Sequence, residues 1–187
     1  MADRDPLERY VEDSDFWLEL IHREQLESTS SFLREGEYEP GTIVLADRQT
    51  RGRGRGTNRW YSPEGGLWFS FVVPGANLVP PQDLYVEIMD LLRDLLADRD
   101  VDTEISRPND LVVDEKKIAG VLIEEDDGRY IVGTGINVNN DLSALPEELR
   151  GETTTMRKVA GRKIDRRELL KEIISRLESC ISVEKST

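Results

Sequence analysis

The chain has 187 residues, 37% of them hydrophobic, which suffices for one globular domain with an apolar core. Its 25 basic and 38 acidic residues give a net charge of −13, which argues against a protein that holds duplex nucleic acid on a broad basic face. No apolar run approaches the roughly 20 residues of a membrane helix, and the N-terminus is not signal-like, so we expect a cytoplasmic protein with no membrane partner.

The first part of the chain predicts one short helix and two strands. The apolar run 16–21 fits either a strand or the end of a helix. Ser28–Ser30 can cap a helix that runs through Arg34. Residues 42–46 and 67–73 are rich in β-branched and aromatic residues, and each predicts a buried strand.

Between these two strands lies a segment in which arginine and glycine alternate. Residues 48–59 hold five arginines in twelve positions, and Trp60 follows. Such runs are more often flexible or RNA-contacting. A short run between two apolar strands instead favours a loop that wraps guanidinium groups and backbone N–H groups around phosphate or carboxylate. The Trp60 ring is suited to stacking on a base.

The second half predicts two helices and three strands. Residues 81–98 and 165–181 carry apolar residues at three- and four-residue spacing, which indicates amphipathic helices. Residues 111–113, 118–123 and 130–138 read as consecutive antiparallel strands separated by turns. Strands in runs with separate covering helices predict an α+β domain.

Two further motifs are ambiguous when taken alone. Arg107–Asp110 is typical of a turn, and Lys116 and Lys117 of a solvated hairpin. Gly133–Asn139 fits a strand whose glycines admit a close neighbour, but glycine in a strand also lets a ligand approach the backbone.

Taken in order, the motifs resemble the catalytic domain of biotin protein ligases over about residues 20–155. The matching segments are Ser28–Ser30, Gly52–Arg55 with Trp60, Ser62–Leu67, Ser106–Asp110, Lys117–Glu124 and Gly133–Asn139. The resemblance implies a mixed, largely antiparallel β-sheet covered by helices, similar to the class II synthetases. It also implies a ligase that uses ATP to form biotinyl-5'-AMP and then biotinylates a lysine of a carboxylase carrier domain, such as biotin carboxyl carrier protein.

The resemblance also assigns site residues. Catalytic roles are implied for Arg55, Lys117 and Asp110. Biotin binding is implied for Ser28, Thr29, Gln49, Gly52, Arg53, Arg55, Lys117 and Gly120, with Trp68 as a further wall. Nucleotide binding is implied for Arg53, Arg55, Trp60, Asn109, Lys117 and Asn137. Mg²⁺ is expected with ATP, and no residue is assigned to hold it.

Several positions depart from the family pattern. Ser30 stands where the family usually has asparagine, and Ser106 and Arg107 stand in place of a Lys-Trp pair. Asn58 replaces an arginine, although the adjacent Arg59 can reach the same phosphate. These changes motivate a rival hypothesis, a non-catalytic protein that binds biotin or an adenylate as a sensor.

A lipoate or octanoate ligase of the same fold is a second rival, which the Gly-Arg-Gly-Arg signature disfavours. An RNA-binding module is a third, which the acidic charge disfavours. We expect residues 1–187 to form a single catalytic domain, with no N-terminal helix-turn-helix domain, no C-terminal β-barrel domain and no DNA partner. The carrier protein and the oligomeric state stay open, and a homodimer is one possibility.

Overall fold

The computed structural model describes residues 5–75, 81–106 and 108–183. A sheet of eight strands runs through these ranges. The strands are β1 (Glu19–Leu26), β2 (Thr42–Arg53), β3 (Arg59–Ser62), β4 (Leu67–Pro74), β5 (Glu104–Ser106), β6 (Asp110–Val113), β7 (Lys116–Asp126) and β8 (Arg129–Ile136).

The sheet is mixed and largely antiparallel, as the sequence predicted. The strand order is β1-β2-β4-β8-β7-β6-β5, and β3 pairs with the far end of β2. The β1–β2 pair is parallel, whereas every other pair is antiparallel. The middle of the sheet is therefore formed by β4, β8 and β7, all of which the sequence predicted as strands.

The helices differ widely in length. They are α1 (Pro6–Glu12), α2 (Thr29–Glu35), α3 (Pro81–Ala97), α4 (Glu147–Arg150), α5 (Met156–Ala160) and α6 (Arg166–Val183), with a 3₁₀ turn at Leu142–Ala144. None of the helices in the described ranges combines the length and the apolar composition needed to span a bilayer.

One face of the sheet carries the main core. Because side chains alternate along a strand, Phe69 and Phe71 of β4 point to the same face. They belong to one buried cluster with Leu92 of α3 and Leu170 of α6, and α1 adds Leu7. The two long helices and α1 therefore cover this face and remove it from water.

The opposite face has a smaller core and an open region. Val44 and Val72 pack with Leu33 of α2 in a second buried cluster. Ser70, which shares this face with Val72, is buried but polar. The short helix α2 covers only part of this face, so the rest is free to form a site.

Most of the predicted elements are confirmed with small changes in their ends. Ser28 caps α2, and its Oγ accepts a hydrogen bond from the Ser31 N–H at 3.4 Å. The ambiguous run 16–21 contributes to a strand, because β1 begins at Glu19 and pairs with β2. The rest of β1, after Ile21, is largely polar and exposed, which obscured the strand in the sequence; β1 lies at the edge of the sheet, where charged residues are common.

The prediction that the arginine-glycine segment is one loop was wrong in its extent. The strand β2 continues to Arg53, and β3 returns beside it with Gly52 opposite Trp60. Only residues 54–58 form the turn, closed by a hydrogen bond from the Gly54 N–H to the Asn58 carbonyl at 2.9 Å and by a positive φ of 64° at Gly56. We call residues 49–62 the arginine hairpin, because its backbone is a two-stranded ribbon.

Candidate active site

A cavity of about 240 Å³ lies on the open face of the sheet. The N-terminus of α2, the arginine hairpin, and strands β6, β7 and β8 surround it. The lining residues are Ser28, Thr29, Ser30, Gln49, Arg53, Gly54, Arg55, Asn58, Arg59, Trp60, Asn109, Asp110, Lys117, Gly120, Val121, Leu122, Gly133, Thr134 and Gly135.

Three glycines of β7 and β8 form the floor of this cavity. A methyl group at Gly135 would lie 2.5 Å from Trp60 Nε1, and one at Gly133 would lie 2.6 Å from Ser30 Oγ. At Gly120, which is opposite Gly135 in the sheet, it would lie 3.0 Å from both the Trp60 ring and Asp110 Oδ1. These glycines are therefore needed so that the hairpin and α2 can lie directly against the strands.

Hydroxyl and amide groups line one end of the cavity. Gln49 Oε1 accepts hydrogen bonds from the Thr29 N–H at 2.7 Å and from the Thr29 hydroxyl at 3.1 Å. Its Nε2 donates to Ser62 Oγ at 2.7 Å. The Ser70 hydroxyl lies 2.7 Å from Thr29 Oγ1 and 3.1 Å from Ser30 Oγ. This network fixes the orientation of the Gln49 amide and joins α2, β2, β3 and β4.

Lys117 is the cation at the β6–β7 side of the cavity. Its Nζ lies 2.8 Å from Asp110 Oδ2 and 4.7 Å from the centre of the Trp60 ring. The backbone of Lys117 is held from outside the sheet, because its N–H donates to the Glu152 carbonyl and its carbonyl accepts from the Thr154 N–H. The ammonium group is thus placed by a fixed backbone, an ion pair and a cation–π contact.

One carboxylate oxygen of Asp110 is not used by the ion pair with Lys117. Its Oδ2 pairs with Lys117, while its Oδ1 is buried and has no hydrogen-bond partner in the described part of the chain. A buried carboxylate oxygen is stabilised by a donor. The site therefore offers an acceptor to a ligand N–H or O–H.

Two arginines of the hairpin differ in how they are held. Arg53 donates from Nη2 to Glu124 Oε1 at 2.8 Å, and the same oxygen lies 2.9 Å from Arg34 Nη2. Arg55 is exposed at the turn, and its guanidinium group makes no hydrogen bond or ion pair within the described ranges. One guanidinium group is positioned in advance, and the other is available to an incoming anion.

Asn109 stabilises the strand geometry beside the cavity. Its Nδ2 donates to the Val121 carbonyl at 2.7 Å, and its own carbonyl accepts from the Val121 N–H at 2.9 Å. These two bonds tie the entry of β6 to β7 next to Gly120. The side-chain oxygen of Asn109 is left for other partners.

Tyr85 of α3 stabilises β7 from the other side. Its hydroxyl accepts a hydrogen bond from the Ile123 N–H at 2.8 Å. Burial raises the pKa of Tyr85 above its ordinary value, and the charge of Glu124 acts in the same direction. The phenol is therefore neutral at physiological pH and acts as a fixed support for the strand that carries Leu122 and Glu124.

A second, smaller cavity adjoins the first. It has a volume of about 120 Å³ and is lined by Arg59, Trp60, Tyr61, Lys117, Asn137, Leu145, Leu149 and Thr153. Arg59, Trp60 and Lys117 line both cavities, so they form the wall between them. Asn137 is buried here, and its Oδ1 accepts a hydrogen bond from Asn140 Nδ2 at 3.0 Å.

Ten of the site residues named from the sequence line the first cavity, and three do not. Asn137 lies in the adjoining cavity. Gly52 is buried within the hairpin itself, opposite Trp60, where a methyl group would be 2.4 Å from the Trp60 carbonyl oxygen. Trp68, expected as a wall, is fully buried, donates to the Pro63 carbonyl at 2.9 Å and packs against Trp60 from behind.

The positions that depart from the family pattern have different surroundings. Ser30 lines the cavity and contacts Ser70, and Asn58 lies in the exposed turn of the hairpin. Ser106 is exposed at the end of β5, opposite Asp110. Arg107 lies outside the described residues.

The sequence reasoning missed several contacts around this site. Ser70 and Arg34 were not considered, and Glu124 was read only as the end of a motif. Glu124 had a detectable signal, because strand alternation places it on the same face as Gly120 and Leu122. Arg34 had none, since its partner is 90 residues away in the chain.

The described residues hold no cluster of side chains suited to bind a metal ion. Among them, no group of three or more His, Cys, Asp or Glu residues is placed to hold a metal ion.

Comparison with known proteins gives a consistent result. A model of the biotin/lipoate A/B protein ligase family matches residues 20–141. The bifunctional ligase/repressor BirA of Bacillus subtilis is 36% identical over 166 residues, which cover 83% of this chain and 51% of that protein. The chain thus spans about half the length of that relative.

Solved structures with the same fold carry ligands. A biotin protein ligase from Aquifex aeolicus in complex with biotin and ATP superposes with a TM-score of 0.80 at 35% identity, over 86% of this chain and 68% of that chain. A biotin protein ligase from Leishmania major in complex with biotinyl-5-AMP superposes with a TM-score of 0.71 at 25% identity, over 87% of this chain and 74% of that chain.

Proposed function

Since the chain belongs to the biotin/lipoate A/B protein ligase family, we propose that it is an ATP-dependent biotin protein ligase. It forms biotinyl-5'-AMP from biotin and ATP, and transfers the biotinyl group to a lysine of a carboxylase carrier domain. The ligands named for the Aquifex and Leishmania proteins support this choice of substrate over lipoate or octanoate.

The observation that carries the proposal is the convergence of four cations on one glycine-floored cavity. The cavity is lined by Arg53, Arg55, Arg59 and Lys117, in a protein whose net charge is −13. Adenylation brings a carboxylate and a phosphate into contact, and these anions repel each other unless the site supplies positive charge. Four cations in one cavity of an acidic protein supply this charge.

The two cavities suit the two substrates. We assign biotin to the larger one, with its ureido ring against the hydroxyl and amide groups around Thr29 and Gln49. We assign the adenine to the smaller one, where Leu145 and Leu149 supply an apolar wall and Trp60 an aromatic face. The reacting carboxylate and α-phosphate then meet at the wall between the cavities, beside Lys117.

In the first step, a carboxylate oxygen of biotin attacks the α-phosphorus of ATP, and the bond to the leaving pyrophosphate breaks. Lys117 and Arg55 stabilise the negative charge on the phosphoryl oxygens as it passes through the transition state. Arg53 binds the carboxylate and keeps it aligned. Lys117 then shares its hydrogen bonds between Asp110 and the phosphate.

In the second step, the ε-amine of the carrier lysine attacks the carbonyl carbon of the mixed anhydride, an amide bond forms and AMP leaves. The amine attacks only when neutral. We assign Asp110 as the group that accepts its proton, because the buried Oδ1 has no partner within the described part of the chain. The hairpin excludes water from the anhydride, which hydrolyses readily.

Mg²⁺ enters the proposal as the ion that ATP carries on its phosphate oxygens, where it offsets their charge. Arg55 and Lys117 supply the positive charge that the protein itself contributes at the α-phosphate.

A single assay tests the proposal. The purified protein is mixed with Mg·ATP, biotin and an apo carrier domain, and both pyrophosphate release and the carrier mass are followed. Biotin-dependent pyrophosphate release with a carrier mass gain of one biotinyl group is the expected result. Absence of both signals, with biotin still bound, would overturn the ligase and support a sensor. Faster turnover with lipoate or octanoate would overturn the choice of substrate.

A further inference from the structure

One carboxylate ties together three elements that surround the cavity. Glu124 Oε1 accepts a hydrogen bond from Arg53 Nη2 at 2.8 Å, and Arg34 Nη2 lies 2.9 Å from the same oxygen. Glu124 belongs to β7, Arg53 is the last residue of β2, and Arg34 lies in the last turn of α2. The sheet, the arginine hairpin and the helix therefore meet at Glu124.

We propose that Glu124 is a positioning residue that holds Arg53 toward the substrate, and that Arg34 neutralises Glu124 so that the group still attracts anions. This inference rests on the proposed function, because it assigns Arg53 to the biotin carboxylate. Neither Glu124 nor Arg34 lines the cavity itself.

The position of Glu124 supports this role. Side chains two residues apart on a strand share a face, so Gly120, Leu122 and Glu124 follow one another along the open face of β7. Gly120 and Leu122 line the cavity, and Glu124 comes directly beyond its end. The carboxylate thus holds Arg53 from outside. An arginine has five N–H donors, so a bond through Nη2 leaves others for a ligand.

The burial of this group separates it from ordinary surface ion pairs. The side chains of Glu124, Arg53 and Arg34 are 21%, 33% and 31% exposed. In the same hairpin, Arg51 pairs with Glu27 at 3.4 Å, but the two side chains are 76% and 69% exposed, the kind of pair that contributes little. Glu124 Oε2 is also buried, without a hydrogen-bond partner among the described residues. A shielded carboxylate of this kind has its geometry fixed by its partners.

Arg34 makes the net charge of the three side chains positive. Glu124 with Arg53 alone would be a neutral pair with little attraction for a carboxylate. With Arg34 the group carries one net positive charge. Arg34 also approaches Asp126 Oδ1 at 4.0 Å, but Asp126 has its own partner in Arg129 at 2.9 Å. Arg34 therefore provides attraction, and Glu124 provides alignment.

These two roles predict opposite kinetic effects. Glu124→Gln raises the net positive charge of the three side chains but weakens the bond that positions Arg53. We therefore expect kcat for biotin-dependent pyrophosphate release to fall about tenfold with no rise in KM for biotin. In Arg34→Gln the alignment stays while attraction weakens, so we expect KM for biotin to rise about fivefold with kcat within about twofold. Glu125→Gln is the matched control, since the neighbouring Glu125 is exposed.

A merely structural role would lower the melting temperature and change kcat and KM in the same way in both variants. That result would overturn the inference, as would a Glu124→Gln enzyme that behaves like Glu125→Gln.

A second readout does not depend on activity. In the ligand-free protein, Glu124→Gln should raise the rate of tryptic cleavage at Arg51, Arg53, Arg55 or Arg59 at least about threefold, because Arg53 anchors the hairpin. Glu125→Gln should match the wild type. If the wild type releases no pyrophosphate but the cleavage rates differ as stated, the proposed function is wrong, whereas the positioning of Arg53 by Glu124 is supported. If the wild type is active and the cleavage rates are equal, Glu124 does not position Arg53 and the inference is wrong.

Discussion

Lys117 Nζ lies 2.8 Å from Asp110 Oδ2, which makes an ion pair of the two residues assigned to opposite halves of the reaction. The adjacent Lys116 has its side chain exposed and lines neither cavity. Strict alternation would place Lys116 on the face of Gly120 and Leu122. The β6–β7 register shifts between Leu111 and Val112, however, and this bulge places Lys117 at the cavity instead. Of the two lysines, only Lys117 lines the proposed site.

The first prediction follows from this difference. Lys117→Ala should lower biotin-dependent pyrophosphate release by at least about 100-fold, because a cation that stabilises the phosphoryl transition state is lost. Lys116→Ala should change the rate by less than about twofold. Steady-state pyrophosphate assays on both variants provide the measurement, with circular dichroism to show that each is folded. A larger effect at Lys116 would mean that the β6–β7 hairpin had been aligned incorrectly.

The second prediction separates the two half-reactions at Asp110. Asp110→Asn keeps the size of the side chain but removes the base, so transfer to the carrier should slow about 100-fold. A single turnover of pyrophosphate release should change less than about threefold, because Lys117 and the hairpin arginines are intact. The measurements are quench-flow for pyrophosphate and mass spectrometry for the carrier.

Asp114→Asn is the control for this prediction. Asp114 lies in the β6–β7 turn with a φ of 48°, a conformation that asparagine tolerates well, and its side chain is outside both cavities. Equal losses in both half-reactions of Asp110→Asn would show that Asp110 acts only by holding Lys117, and the assignment as a base would be wrong.

The parts of the site that could be predicted are those coded by local sequence. Trp60, Lys117 and Gly120 were found because each belongs to a motif of a few residues with a recognisable spacing. The glycines of β8 were read correctly as places of close approach, and the neighbours that approach them are Ser30 and Trp60. The residues that fill those places come from distant segments, which no local pattern identifies.

The parts that could not be predicted depend on pairing between distant segments. The arginine-glycine run has low strand propensity, yet its first half is a strand, because Gly52 and Arg53 pair with Trp60 and Arg59 across the turn. Tertiary pairing overrides propensity in such cases. The contact of Arg34 with Glu124 has the same origin, since it exists only after α2 lies against the sheet.

The third prediction concerns the contact between Gly135 and Trp60. Gly135→Ala places a methyl group 2.5 Å from Trp60 Nε1, so the indole must move from the wall between the cavities. Overpacking of this kind destabilises by about 1–3 kcal/mol. The displaced ring also loses its stacking face, so affinity for ATP should fall about five- to tenfold. Calorimetric titration with ATP and the tryptophan fluorescence maximum measure the two effects.

Gly151→Ala is the control for that substitution. A methyl group at Gly151 would have no neighbour within 4 Å, and the position is exposed. Its ATP affinity should therefore equal that of the wild type. Unchanged ATP affinity in Gly135→Ala, with the ring shown to have moved, would remove Trp60 from the nucleotide site.

The last prediction concerns the turn of the arginine hairpin. Residues 54–58 lie at the cavity mouth, and the turn residue Arg55 is exposed with no ion pair in the described ranges. Ligand anions should draw its guanidinium group inward and close the turn over the intermediate. Biotin with Mg·ATP should therefore reduce tryptic cleavage after Arg55 by at least about fivefold, whereas biotin alone, with a single carboxylate, should protect less.

Cleavage sites are read by mass spectrometry. Cleavage at the exposed Arg162 of the same sample serves as the internal reference, because that residue lies far along the chain and lines neither cavity. Equal cleavage after Arg55 with and without both ligands would contradict closure, and the adenylate would then have to be shielded from water by the cavity walls alone.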